Sequence, residues 1–127
     1  MRTRRGLKRA YSIARELRHE SIFTTVVRRQ NGLCWYCGEA MGADCSKEHL
    51  HSQSAGGTDY WPRGNLKASH TDCNQAAGHL DVELKHRLRE ICLIHGKTEM
   101  FDLARQFRRA QAREAFVRLG PIHKRRR

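Results

Sequence analysis

Apolar residues fall at helical intervals at both ends of this chain and lose that rhythm in the middle. Near the front, Ile22, Phe23, Val26 and Val27 share one helix face, Ser21 stands in the N-cap position, and the run reaches Arg28, Arg29 and Gln30 before the turn signal Asn31-Gly32. Toward the back, Asp81 is placed to cap a helix with Val82, Leu84, Leu88, Ile91 and Cys92 on one face, closed by Gly96. A second helix follows from Thr98 and ends at Gly120-Pro121. It sets Phe101, Ala104, Phe107, Ala110 or Gln111, and Ala115 on one side, with Arg105, Arg108, Arg109, Arg113 and Arg118 mostly elsewhere. That arginine face serves either nucleic acid or solvent. Between residues 33 and 78 the text is short, turn-rich and studded with glycine, with room for two strands, around 48–51 and near 65–68. The pattern predicts a small α+β chain in which helices flank a turn-rich centre, and no internal repeat is visible.

Length and charge sharpen this picture. A chain of 127 residues has room for one domain with a modest core, so a covalent or metal staple is expected. Residues 1–30 carry nine Lys/Arg against two acids, and residues 81–127 carry thirteen against six, whereas 31–80 carry three against five. The net charge of +12 points to a polyanionic partner, with nucleic acid first. A near-neutral to acidic centre between basic ends suits phosphate grip outside and acidic ligands inside. The first dozen residues form an arginine-rich arm, with a possible short helix over 10–17, and Lys124-Arg125-Arg126-Arg127 adds non-specific phosphate affinity. No apolar h-region follows the basic start and no run approaches a membrane span. The expectation is a cytoplasmic protein with no membrane partner, whose cysteines, five in number, point to metal binding rather than disulfides.

Cys34-Trp35-Tyr36-Cys37 is a C-x2-C knuckle, and His70-Thr71-Asp72-Cys73 repeats the two-residue spacing 33 positions later. Two thiolate and imidazole knuckles close a tetrahedron around zinc without needing a large core, so Cys34, Cys37, His70 and Cys73 are the candidate structural zinc ligands. Cys92 belongs to the apolar face of its helix, and Cys45 is a surplus thiol.

The order of motifs over residues 29–78, about 40% of the chain, resembles the HNH endonuclease family: Cys34, Cys37, Glu48-His49, Gly56-Gly57, Asn65-Leu66, then His70-x2-Cys73-Asn74. The resemblance implies a zinc-stapled ββα-metal module in which a hairpin carries the first His and a helix closes the site. The division that follows is a basic arm over 1–20, the nuclease module over 21–80, a helical hairpin over 81–120 and a basic tail over 121–127. The implied activity is metal-dependent hydrolysis of DNA phosphodiesters, giving 5′-phosphate and 3′-hydroxyl ends, by nicking as a monomer or by double-strand cutting as a homodimer.

The resemblance also assigns roles. His49 is the general base, a task that imidazole suits because it titrates near neutral pH. Glu48 and Asn74 are the implied ligands of a catalytic Mg²⁺ or Mn²⁺, although Asn74 has a second reading as the cap of the following helix. Asn65 is implied to bond the hairpin-loop backbone and so orient the base. Glu48 stands where Asp is more frequent and His70 where many members have Cys. The basic residue often found after the last motif is missing at Gln75, Ala76 and Ala77. His51, expected on the same strand face as His49, is a candidate for phosphate or metal contact. Tyr60-Trp61-Pro62-Arg63 enlarges the loop before Asn65, either to touch bases or to anchor the loop. Two other readings stand beside DNA hydrolysis: a zinc-knuckle nucleic-acid-binding module without turnover, and a nuclease acting on RNA.

Overall fold

The structure, a computed structural model, describes residues 22–119. The expected arm over 1–20, with its helix over 10–17 and the Ser21 cap, lies outside them, as does the tail over 121–127. In chain order the elements are a helix α1 over 22–29, strands β1 (Ser46–His49) and β2 (Leu66–Ser69), and helices α2 (Thr71–Ala77), α3 (Val82–His95) and α4 (Lys97–Leu119), an α+β arrangement.

α1 ends where the chain must reverse. Asn31 and Gly32 both take positive φ, 57° and 70°, a conformation that asparagine and glycine tolerate best. The reversal leads into the first knuckle, which is closed by an isolated bridge between Leu33 and Ala40. β1 and β2 pair antiparallel, Ser46 with Ser69 and His49 with Leu66 at the two ends of the ladder. β1 therefore sits two residues earlier than expected. Its pairing runs on through the Leu50 amide to the Asn65 carbonyl, and there the side chain of Asn65 replaces a partner strand.

A two-stranded ribbon is marginal by itself, and other elements complete it. On the outer edge of β2, the Gln30 side-chain oxygen accepts the Ala68 amide at 2.9 Å, and its nitrogen donates to the Ala68 carbonyl at 2.8 Å. The Trp35 amide donates to the same carbonyl.

α3 has the predicted cap: Asp81 Oδ1 accepts the Leu84 amide at 3.0 Å, and Gly96 ends the helix at φ 101°. Its inner face is the expected one with Lys85 added to it. Lys85, Leu88 and Cys92 are the buried positions, at i, i+3 and i+7, while Val82, Leu84 and Ile91 flank them half-buried. Cys92 lies in the core as expected, and Cys45 packs partly against it. α4 starts at Lys97, one residue before the expected Thr98, and buries Met100 and Ala104. Its expected inner positions Ala110, Gln111 and Ala115 are exposed. The reason is length: at about 1.5 Å per residue, the 14 residues of α3 cannot run beside all 23 of α4. Tyr36, Leu80, Leu88 and Met100 are fully buried and join the first knuckle to α3 and α4. Among the described residues no helix is long and apolar enough to cross a membrane.

Candidate metal centre and catalytic cleft

Cys34, Cys37, His70 and Cys73 meet as the spacing predicted. Their ligand atoms all lie within 4.8 Å of one another, three of the four residues are buried, and the cluster can hold a metal ion such as zinc. The first knuckle supplies two thiols from a turn closed by the Gly38 amide on the Cys34 carbonyl. The second lies across the start of α2, with His70 just before the helix and Cys73 in its first turn.

The chemistry of the donors fits a cation. His70 Nδ1 is 3.2 Å from Cys37 Sγ, while Nε2 lies 3.1 Å from the Ala40 carbonyl. A carbonyl only accepts, so Nε2 carries the proton and the Nδ1 lone pair faces the thiols. Within the cluster, the hydrogen bond from Cys73 pulls the Cys34 thiol down to about 4 and raises Cys73 above the ordinary thiol range. One thiolate thus forms readily and concentrates the proton on its neighbour, an arrangement that a cation relieves. Around the centre, Asp44 Oδ1 accepts both the amide and the hydroxyl of Thr71, fixing the start of α2, and Lys97 bridges from α4 to Asp72. Arg89 donates to the Trp35 carbonyl at 2.8 Å and lies 5.1 Å from the centre of its ring, which ties α3 to the first knuckle.

Of the other candidate residues, Glu48, His49 and Asn74 line a cleft of about 180 Å³ between β1, the start of the following loop, α2 and α3, together with Lys47, Ser52, Gln53, Gly78, His79 and Lys85; Asn65 and His51 are not part of its wall. At roughly 30 Å³ per water, this is the volume of about six waters, ample for a phosphate group. A larger concavity, about 480 Å³ along α4 between Ala110 and Val117, holds no comparable set of chemical groups.

His49 ends β1. Its Nε2 is 2.7 Å from Asp59 Oδ1, and Lys47 pairs with the other oxygen of Asp59 at 3.2 Å. The His49 hydrogen bond, aided by Lys47, holds the Asp59 carboxyl below its ordinary range. A carboxylate at Nε2 fixes the ring's proton there and leaves Nδ1 as the basic nitrogen. The sequence offered a signal for Asp59, an acid two residues after Gly56-Gly57, but nothing in the spacing tied it to His49.

Asn65 bonds the backbone of the loop after β1. Its Oδ1 accepts the His51 amide at 2.6 Å, and its Nδ2 donates to the carbonyls of His51 and Thr58, both at 3.0 Å. The loop closes so tightly that a Cβ on Gly57 would lie 1.8 Å from the His51 carbonyl oxygen, which explains the glycine. His51 departs from expectation. It lies beyond the end of β1, its Nε2 bonds the Ala55 carbonyl at 2.9 Å, and its ring meets Trp61 edge-on, so it braces the loop and does not share a strand face with His49. Tyr60 and Trp61 are mostly exposed, at 63% and 59%, with their amides held by the Thr58 hydroxyl.

Glu48 faces inward and is only 3% exposed. One carboxylate oxygen accepts the Tyr36 hydroxyl at 2.8 Å, and the other accepts the Lys85 ammonium at 3.2 Å. Burial raises the Glu48 carboxyl above its ordinary value, and the charge of Lys85 opposes that rise. Burial and then the nearby Glu48 charge push the Tyr36 phenol upward, which keeps it a donor. Asn74 lies inside α2, three residues past its first, so it is no helix cap; its nitrogen donates to Ser46 Oγ and to the Lys47 carbonyl. Glu48 and Asn74 thus line one cleft, and their polar groups are engaged by protein partners. Among the His, Cys, Asp and Glu side chains of the described residues, Cys34, Cys37, His70 and Cys73 make up the one group of three or more placed to share an ion. Tyr36 and Lys85 were both missed in the sequence: Tyr36 reads as filler within a knuckle, and Lys85 as one more surface lysine.

No family model matches this chain, and no curated protein does.

Proposed function

We propose that this chain is an endonuclease that hydrolyses DNA phosphodiesters, with β1, β2 and α2 as a zinc-stapled ββα module of the HNH kind. The observation that carries this reading is the His49–Asp59 pair, 2.7 Å apart, with His49 on the wall of a cleft large enough for a phosphate group. Asn65 supports it by holding the loop that presents Asp59, through its bond to the Thr58 carbonyl. The net charge of +12 supplies the attraction for a polyanion.

In this reading His49 takes a proton from water through Nδ1 as the water oxygen attacks phosphorus. The bond from phosphorus to the 3′ oxygen breaks, and that oxygen takes a proton from solvent, leaving 5′-phosphate and 3′-hydroxyl ends. Asp59 stabilises the imidazolium formed on the way. A bound zinc ion would supply structure, holding α2 against the first knuckle.

A second reading, a zinc-knuckle module that binds nucleic acid without cutting it, is favoured by one observation: both oxygens of Glu48 are engaged by protein groups. Nicking of supercoiled plasmid by the purified, zinc-loaded chain separates the two. The expected result is nicking by the native chain and none by His49→Ala, with equal binding of both in a mobility shift. Binding without nicking in every buffer, with or without Mg²⁺ or Mn²⁺, would establish the binding module instead. Cleavage confined to a matched RNA would change the substrate and keep the chemistry.

A further inference from the structure

We propose that the Lys85 ammonium is the resident cation of this cleft: it holds the place beside Glu48 where the resemblance implies Mg²⁺ or Mn²⁺, and the native chain takes up no divalent ion there. This deepens the nuclease reading, and rests on it only in treating the cleft as the seat of phosphate chemistry.

The placement begins with the helix. Lys85 shares the inward face of α3 with Leu88 and Cys92, so the backbone sends its side chain into the core rather than to solvent. It is 1% exposed. A lysine so buried must end on partners, and its ammonium has two: Glu48 Oε1 at 3.2 Å and the His49 carbonyl at 2.7 Å. The second contact matters because it belongs to the proposed base. Lys85 thereby fixes the backbone of His49 while neutralising the carboxylate next to it.

A divalent ion would have to displace this arrangement. Mg²⁺ binds oxygens at about 2.0–2.1 Å in a near-octahedral shell, and the Glu48 oxygens are already taken by Tyr36 and Lys85. Glu48 and Lys85 together are neutral, so an added ion would bring two uncompensated positive charges beside a buried ammonium. Expelling the ammonium would leave it buried and unpaired, the costly half of breaking an internal ion pair. Asn74 turns its nitrogen, not its oxygen, toward β1. Lys85 itself is too enclosed to touch substrate. It is a positioning residue that supplies charge and holds His49.

The test uses the full chain loaded with one equivalent of zinc. Mn²⁺ is titrated and free Mn²⁺ followed by electron paramagnetic resonance, for the native chain, Glu48→Gln, Lys85→Met and the double variant Glu48→Gln/Lys85→Met. The native chain is expected to bind no more Mn²⁺ than Glu48→Gln does. Lys85→Met is expected to gain a Mn²⁺ site that the double variant, neutral at both positions, lacks. One equivalent of Mn²⁺ bound by the native chain and lost in Glu48→Gln would overturn the proposal. In the plasmid assay the native rate is expected to be the same with and without added Mg²⁺, and Lys85→Met to lower the rate without added metal by about 100-fold. A native rate that requires Mg²⁺ would also overturn it. If no chain nicks DNA at all, the nuclease reading fails, while the Mn²⁺ titration still decides whether Lys85 is the cation of the cleft.

Discussion

Asp59 grips the His49 ring at Nε2 and leaves Nδ1 as the nitrogen that the proposed reaction would use. Asp59→Asn keeps the shape and loses the charge; nicking is expected to fall by about tenfold or more, with binding unchanged in a mobility shift. The same residue gives a pH signature. Its carboxyl is lower in the folded chain than in the unfolded one, so its contribution to stability is present above the ordinary Asp range, about pH 4, and is lost as pH falls through the folded value. The stability difference between the native chain and Asp59→Asn, from urea melts at matched pH, should be present at neutral pH and shrink to nothing in acid. Legibility at this scale follows from distance along the chain. Cys34, Cys37, His70 and Cys73 were readable because each knuckle carries its ligands with two residues between them, a spacing that suits a shared metal ion. Asp59, Tyr36 and Lys85 reach His49 or Glu48 across 10, 12 and 37 positions, and no local pattern encodes those meetings.

The loop between the strands is organised by one amide. Asn65 makes three bonds to the backbone of His51 and Thr58, each worth about 1 kcal/mol, so Asn65→Ala should cost about 3 kcal/mol in a urea melt. Because that loop carries Asp59, the same variant should also lose nicking activity. Both strands were legible to within two residues from their length and their turn-rich borders, and α3 was legible from its Asp81 cap and Gly96 stop. Its inner face was legible in Leu88 and Cys92 but not in Lys85. A pattern of apolar residues has no place for a lysine, yet the helix turns Lys85 inward because Glu48 and the His49 carbonyl give its charge a destination. The far half of α4 was misread for the opposite reason: its apolar positions repeat correctly, yet α3 is too short to cover them.

At the scale of the molecule, the Cys34, Cys37, His70 and Cys73 cluster sits where four parts of the chain join: the first knuckle, α2, α4 through Lys97 and Asp72, and α3 through Arg89 and Trp35. A core this small leans on that junction. Removing the metal with a chelator should abolish the near-ultraviolet circular dichroism of the buried Trp35 and Tyr36, and stoichiometric Zn²⁺ should restore it. Persistence of the signal in the stripped chain would mean that the apolar core holds the fold alone.

The two-stranded ribbon meets the rest of the chain through side chains on both of its flanks. Gln30 serves Ala68 on one flank, and Asn74 and Lys85 serve the carbonyls of Lys47 and His49 on the other. These residues act as fragments of a third and fourth strand. At those positions the backbone groups that would recruit a strand from another molecule are already spoken for, so the ribbon is guarded against edge-to-edge aggregation by the same contacts that build the cleft.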